Sequence, residues 1–178
     1  LNNASLIITP NDYLRSILIK SGVKAKISVI ENAVEKLQVE KRQLPIYTIT
    51  MAGRLVAHKR FDKIIQIMPK LLQNINTEII IIGDGPEMIR LKQIARSLNL
   101  ENNIKFLGTL DYRSTMSYIS SSDLFIMPSL YEGMSHLLLE AMLYKTPILA
   151  SSIQGNLSIL KDKENALLFN PENKEESI

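Results

Sequence analysis

The stretch EIIIIGDGPEMIRLKQIARSLNL, residues 78–100, carries the clearest structural signal in the sequence. Its run of isoleucines leaves neither face of a strand polar, and such a strand is typical of a parallel sheet that helices cover on both sides. The strand ends at a glycine, and Pro86 then stands in the first turn of an amphipathic helix. The stretch therefore predicts a β-strand, a tight loop and a helix that packs back on the sheet.

The same alternation of strand and helix repeats along the chain. Strands are predicted at residues 46–53, 78–83, 104–108, 123–129, 147–151 and 165–170, and helices at residues 60–74, 85–100, 112–122 and 135–144. Short connections between such elements favour right-handed βαβ units in a Rossmann-like, doubly wound parallel sheet of the α/β class. In that fold a ligand binds beyond the carboxyl ends of the strands, so the loops after the strands are the expected site.

The composition excludes several classes of protein. Of the 178 residues, 46% are hydrophobic and 22% are charged, as in an ordinary globular domain. The net charge of +3 is small and the basic residues are scattered, so we expect no nucleic-acid partner. The absence of cysteine excludes disulfides and thiolate zinc sites. No apolar run reaches the ~20 residues that span a bilayer, and a cytoplasmic location is expected.

The first 40 residues differ from the regular alternation that follows. They contain predicted strands at residues 5–9 and 26–30 around a helix at residues 11–21. We predict that residues 1–40 are the end of an N-terminal domain with an interdomain linker, and that residues 41–178 form the main Rossmann-like domain. Because the chain begins with leucine and stops abruptly, we also expect it to be a piece of a longer protein.

Two cations follow the strand at residues 46–53. Arg54 comes directly after Gly53, and Lys59 stands near the start of the next helix. A forked guanidinium and a compact ammonium at the carboxyl end of a strand make an anion site. The alternative is a pair of solvated surface charges, and the sequence leaves both interpretations open.

GDGPE, residues 83–87, is better explained by a helix start than by a phosphate loop, since it contains neither G-x-G-x-x-G nor G-K-[ST].

Two glutamates lie in PSLYEGMSHLLLEAML, residues 128–143. Glu132 is in the loop after a strand, and Glu140 stands about one turn into an apolar helix that begins near Ser135 or His136. A carboxylate among leucines is costly unless something pairs with it. The N–H groups at the helix start favour a phosphate, and Glu140 could then grip a vicinal diol such as a ribose. A surface charge at Glu132 and a buried ion pair at Glu140 are the alternatives.

Five motifs together resemble a known family. They are G-R-L-x4-K (53–59), I-I-G-D-G-P-E (81–87), F-L-G (106–108), P-S-L-Y-E-G-M-S-H-L-L-L-E-A-M (128–142) and P-I-L-A-S (147–151). In order and spacing they resemble the C-terminal, donor-binding domain of family-4 (group 1) retaining glycosyltransferases, which have the two-domain GT-B fold. The signature of that family is an E-x7-E pair, formed here by Glu132 and Glu140.

The resemblance implies a role for each matching position. The donor would be a UDP-sugar or GDP-sugar, bound without a metal or another cofactor, and Glu132, Arg54 and Lys59 would be catalytic. The implied donor-binding residues are Gly53, Arg54, Lys59, Phe106, Leu107, Gly108, Thr109, Glu132, Gly133, Met134, Ser135, His136 and Glu140. Arg54 and Lys59 would hold the diphosphate, and residues 106–109 would lie near the base. Backbone amides of residues 134–136 would hold sugar hydroxyls and phosphate, while Glu132 would contact the sugar and Glu140 the ribose.

The resemblance also implies a wider setting. The family transfers a sugar with retention of anomeric configuration, commonly to glycan or lipid-linked acceptors in bacterial surface polysaccharide synthesis. Because the N-terminal domain of this architecture supplies much of the acceptor site, we expect this chain alone to bind donor weakly and to transfer no sugar. We expect the parent enzyme in the cytoplasm, where a mildly basic surface could hold it peripherally at the inner face of the membrane.

Three places depart from the family pattern, and three alternatives stay open. E-G-M-S-H-L replaces E-G-F-G-L-P, V-I-E-N-A-V-E replaces the linker V-I-P-N-G-V-D, and QGNLS (154–158) lacks the glutamate of G-G-x-x-E. The alternatives are a nucleotide-sugar epimerase of GT-B fold, a non-catalytic glycosyltransferase-like binding module, and a flavodoxin-like or receiver domain. The last would need neither the E-x7-E pair nor the two cations. The sequence does not specify the base, the sugar, the acceptor or the oligomeric state.

Overall fold

Strands and helices alternate in the predicted order in a computed structural model, which describes residues 1–172. In chain order the elements are β1 (Ile7–Thr9), α1 (Asp12–Lys20), β2 (Ile27–Val29), β3 (Tyr47–Ala52), α2 (Phe61–Leu72), β4 (Thr77–Ile82), α3 (Met88–Ser97), β5 (Ile104–Gly108), α4 (Tyr112–Ser121), β6 (Leu124–Met127), α5 (His136–Leu143), β7 (Ile148–Ser151), α6 (Gln154–Leu157) and β8 (Leu167–Phe169). A 3₁₀ turn, Ala57–Lys59, precedes α2. Neither this turn nor α6 was predicted. None of these helices is long and apolar enough to cross a membrane.

Six parallel strands form the main sheet, in the order β5-β4-β3-β6-β7-β8. From β3 the chain builds outward through β4 to β5, and it then returns through α4 to place β6 on the other side of β3. This reversal is the topological switch point of a doubly wound sheet, where the loops after two neighbouring strands diverge and open a cleft. The predicted α/β class with a doubly wound parallel sheet is confirmed.

Helices cover both faces of the main sheet, and β4 shows how the sequence dictates this. Ile79 and Ile81 belong to the core that α2 and α3 close. Ile80 and Ile82 belong to the core that α4 and α5 close. Successive side chains of a strand point to opposite faces, so a strand between two cores must be apolar at every one of these positions.

The first part of the chain forms a second, smaller sheet. β1 and β2 pair in parallel, and residues 30–46 then follow without helix or strand. The end of this connection lies along α4 and α5, where the Tyr144 hydroxyl donates to Leu37 O (2.9 Å) and Arg42 N donates to Ser121 Oγ (2.8 Å). The connection is thus bound to the main sheet's helices before β3 begins. The domain division at residue 40 stays a prediction.

The carboxyl ends of β3 and β4 approach each other so closely that only glycine fits. Gly53 N donates to Ile82 O (2.9 Å), and Gly83 N donates to Gly108 O (2.7 Å). Gly53 and Gly83 have φ values of +137° and +130°, which L-residues with a side chain rarely adopt. A Cβ atom on Gly83 would stand 1.9 Å from Gly53 O. This contact sets the floor of the cleft beside Arg54.

Replacement of Gly83 by alanine tests this constraint. Because both the backbone angle and the contact with Gly53 O oppose a methyl group, Gly83→Ala should lower the free energy of unfolding by about 3 kcal/mol. Gly22 has a φ of +80° but no atom within 4 Å of its Cβ position, so Gly22→Ala is the matched control and should cost about 1 kcal/mol. Urea unfolding of both variants measures the difference. Equal losses would show that the close approach contributes nothing.

Candidate functional site

The predicted site residues lie at the carboxyl ends of β3, β5 and β6, on one edge of the main sheet. β3 and β6 are neighbours, and their loops flank the switch point. β5 lies two strands from β3 on the other side. With strands about 4.8 Å apart, the loop after β6 and residues 106–109 are separated by roughly 14 Å. The predicted site residues therefore extend along the carboxyl edge of four strands, and this edge is called the cleft below.

Lys59 and Glu132 meet at the end of the cleft that the loops after β3 and β6 form. Lys59 Nζ lies 2.5 Å from Glu132 Oε1, and the Ser129 hydroxyl donates to the same oxygen (2.6 Å). The two charged side chains are only 14% and 12% exposed. The alternative of solvated surface charges is therefore wrong for both residues. No donor within residues 1–172 bonds to Glu132 Oε2, which is left for another partner.

The Lys59 side chain lies against Gly53. A Cβ atom on Gly53 would stand 3.8 Å from Lys59 Nζ and 3.9 Å from Leu137 Cδ1, so the ammonium group lies over the backbone at the end of β3. Arg54, the next residue, is exposed and forms no ion pair within the described part of the chain. Its guanidinium is therefore free at the edge of the cleft, while the Lys59 ammonium is shared with Glu132.

The loop that carries Glu132 is held from two sides. Asn11 Nδ2 donates to Gly133 O (2.8 Å), and Asn32 Nδ2 lies 3.5 Å from Met134 O. On the other side Gly155 of α6 touches the loop, since a Cβ atom there would stand 2.0 Å from Glu132 O. Residues from the start of α1, from the connection and from α6 thus fix one short loop.

The start of α5 offers unpaired backbone donors. Within residues 1–172, no acceptor receives the N–H groups of Met134, Ser135 and His136. Ser135 is the N-cap residue, but its side chain makes no capping hydrogen bond. Free N–H groups at a helix N-terminus attract anions through their partial positive charge. His136 is exposed at this end of the helix.

Glu140 is buried without a charged partner. Glu140 is 6% exposed, and its neighbours in α5, Leu138 and Ala141, are fully buried. No cation within residues 1–172 forms an ion pair with it, so the alternative of a buried ion pair is wrong for the described chain. The Tyr112 hydroxyl is its polar neighbour. Partial desolvation of that hydroxyl, followed by its interaction with the Glu140 carboxylate, raises the pKa of Tyr112 to about 12, although the residue as a whole is 44% exposed.

The segment 106–109 lies at the far end of the cleft. Phe106, Leu107 and Gly108 are half-buried and Thr109 is exposed. Lys92 Nζ stands 5.8 Å from the centroid of the Phe106 ring. The structure thus places this segment on the same sheet edge as the Lys59–Glu132 pair but two strands beyond β3. No group of three or more acidic or histidine side chains within residues 1–172 is arranged to hold a metal ion.

Three residues that shape the site were not predicted. Ser129 stands three positions before Glu132, a spacing at which a turn brings two side chains together, and this signal could have been used. Asn11 lies 122 residues from its acceptor, and only the long-range packing brings it to the loop. Gly155 contacts the loop because α6 follows β7, which the sequence gives no local reason to expect.

Comparison with known proteins supports one family. The family model described as "Glycosyl transferases group 1" matches residues 33–178. An uncharacterized glycosyltransferase of Haemophilus influenzae is 31% identical over 181 aligned positions, which cover 99% of this chain and 44% of that protein. The chain spans less than half the length of the curated relatives that it matches.

Solved structures show the same fold at lower identity. A point mutant of Staphylococcus aureus TarM, in complex with fondaparinux, alpha-GlcNAc-glycerol and UDP, superposes with a TM-score of 0.85 at 22% identity and covers 99% of this chain and 36% of that one. Anabaena HepE in complex with UDP and glucose superposes with a TM-score of 0.80 at 23% identity and covers 97% and 51%. The predicted GT-B-type fold is thereby confirmed, and the chain belongs to the group 1 glycosyl transferases.

Proposed function

We propose that this chain is the donor-binding part of a retaining glycosyltransferase and that it binds a nucleoside-diphosphate sugar in the cleft above β3 and β6. The observation that carries the proposal is Glu140. A buried carboxylate with no cation beside it is costly for the free protein, so a ligand that donates hydrogen bonds explains its presence. A pair of vicinal hydroxyls, as in a ribose, offers two such donors to one carboxylate.

The dimensions of the cleft support an elongated ligand. Residues 106–109 and the loop after β6 are roughly 14 Å apart, so a base at one end and a sugar at the other would require a diphosphate between them. The free N–H groups of residues 134–136 and the unpaired Arg54 lie on the edge where such a diphosphate would be held. UDP occurs in the solved complexes of TarM and HepE, which favours UDP as the nucleotide here.

The proposed roles follow from the contacts. Arg54 and Lys59, with the amides at the start of α5, would stabilise the charge that develops on the diphosphate when its bond to the sugar breaks. In this proposal that stabilisation comes from the protein alone, without a metal. Glu132 would offer Oε2 to a hydroxyl of the sugar, because Oε1 is already occupied by Lys59 and Ser129. Residues 106–109 would lie against the base.

The acceptor and the setting belong to the same proposal. The acceptor would be a glycan or a lipid-linked saccharide of a bacterial surface polysaccharide, bound largely by the rest of the parent enzyme, in the cytoplasm or at the inner face of the membrane. A relative named as a lipopolysaccharide core biosynthesis glycosyltransferase, from Rhizobium meliloti, supports this class of acceptor at 26% identity. The chain alone would bind donor weakly and transfer nothing.

Titration calorimetry with UDP, GDP and ADP, first without metal and then with Mg²⁺, tests the donor site. One nucleotide should bind without metal, and Glu140→Ala and Arg54→Ala should each weaken it by about tenfold or more, because each removes a charged hydrogen-bond partner. Arg96→Ala is the control, since the Arg96 side chain is 78% exposed on α3 and, among residues 1–172, pairs only with Glu101. Failure of all three nucleotides to bind, or equal effects of all three variants, would contradict the proposal.

At Glu140, ligand binding and protein stability should favour different residues. Glu140→Gln removes a buried charge but keeps the shape of the side chain, so it should raise the free energy of unfolding by about 1 kcal/mol while it weakens nucleotide binding. Glu78 is comparably buried, at 3% exposure against 6% for Glu140, but its carboxylate pairs with Lys105 Nζ (2.5 Å). Glu78→Gln should therefore lower the free energy of unfolding by about 1 kcal/mol. Thermal and urea unfolding measure the change in the free energy of unfolding for both variants, which should have opposite signs. A destabilised Glu140→Gln variant would refute this account of Glu140.

A further inference from the structure

A chain of buried hydrogen bonds runs from α6 to Glu132. Asn156 Nδ2 donates to Ser151 O (2.9 Å) and to Ser151 Oγ (3.3 Å). Ser151 Oγ donates to Ser129 O (2.5 Å), and Ser129 Oγ donates to Glu132 Oε1 (2.6 Å). Asn156, Ser151 and Ser129 are all completely buried. The carboxyl ends of β6 and β7 are thus linked to the loop that carries Glu132 by side chains that solvent does not reach.

The direction of each hydrogen bond in this buried network is fixed. A carbonyl oxygen can only accept, so the amide nitrogen of Asn156 must face Ser151 O. Ser151 Oγ then accepts from the same amide, and its proton goes to Ser129 O. The backbone of Ser129 is held in place by this bond, and its own hydroxyl proton goes to the carboxylate. Bonds in a dry environment hold geometry more firmly than exposed ones.

The network decides which oxygen of Glu132 faces the cleft. Oε1 receives both the Ser129 hydroxyl and the Lys59 ammonium, while Oε2 receives no donor within the described residues. A lysine alone would not make this choice, because its compact charge pairs equally well with either oxygen. The neutral, directional bond from Ser129 supplies the selectivity.

Asn156 anchors the far end of the network. Its Oδ1 is buried and has no hydrogen-bond partner within residues 1–172. A buried acceptor left unsatisfied costs about 1–3 kcal/mol. Its Nδ2 group, however, satisfies Ser151 O and Ser151 Oγ, which an apolar residue would leave unpaired. Asn156 lies in QGNLS, the segment that departs from the family pattern.

We propose that Ser129 is a positioning residue for Glu132, supported by Ser151 and Asn156, and that it presents Glu132 Oε2 to a hydroxyl of the donor sugar. The identity of the ligand in this proposal rests on the proposed function. The orientation of the Glu132 carboxylate does not, because the protein shows it without a ligand. A structural test and a binding test therefore separate the two.

The structural test is a crystal structure of the Ser129→Ala variant without ligand. Loss of the hydroxyl should let the Glu132 carboxylate rotate, so that its oxygens move by more than the roughly 0.5 Å that a positioned site tolerates. Asn156→Leu, which removes the amide at the far end of the network, should produce a smaller displacement in the same loop. An unchanged Glu132 in Ser129→Ala would overturn the proposal, whatever the chain binds.

The binding test compares UDP with UDP-glucose by calorimetry. Ser129→Ala should weaken UDP-glucose by about tenfold and UDP by only about twofold, because Ser129 bonds directly to Glu132, which faces the sugar, and reaches the diphosphate only through the Lys59–Glu132 pair. Ser122→Ala is the matched control: Ser122 is also a buried serine, hydrogen-bonded to Thr50 and Tyr118, but it lies away from the cleft. A purely structural role would reduce both affinities together, and that result would overturn the proposal. If the wild-type chain binds neither compound, the proposed function fails and the crystal structure alone decides this inference.

Discussion

The pairing of Lys59 with Glu132 is the interaction on which the site depends, because it joins the loop after β3 to the loop after β6 across the switch point. Both side chains are largely withdrawn from water. The attraction within such a pair offsets the free energy lost on desolvation only when its geometry is good and the other hydrogen-bonding positions of both groups are satisfied. Ser129 supplies the additional bond on the carboxylate. The pair also restrains the charge of the lysine, which a diphosphate would have to share with Glu132.

This sharing explains why the cleft needs more than its side-chain cations. Arg54 and Lys59 carry two positive charges, and Glu132 and Glu140 carry two negative charges, so the four side chains together are formally neutral. A diphosphate would therefore gain little from net charge alone. The free N–H groups at the start of α5 supply directed partial charges without a counter-ion, and they do so where the loop is already fixed by Asn11 and Gly155.

Much of the fold could be predicted because its signals are local. The isoleucines of β4, the glycines that end β3 and β4, and the helical spacing of α2 each specify an element within a few residues. The placement of Glu132 after a strand and of Glu140 within a helix was equally local. The pairing of Lys59 with Glu132 was not, because it depends on β3 and β6 becoming neighbours. The buried chain from Asn156 to Ser129 was missed for the same reason: serines at strand ends resemble ordinary turn residues until the sheet order is known.

Several unfavourable features of the structure lie around this cleft. Asn156 Oδ1 is the one fully buried side-chain oxygen or nitrogen atom within residues 1–172 that has no hydrogen-bond partner. Glu140 is buried without a cation, whereas the comparably buried Glu78 is paired with Lys105 at the opposite, amino-terminal part of β4. Gly53 and Gly83 adopt backbone angles closed to other residues at the same edge. Ligand binding at this edge would account for the two unpaired groups, since a site shaped for a ligand leaves groups unsatisfied until the ligand arrives.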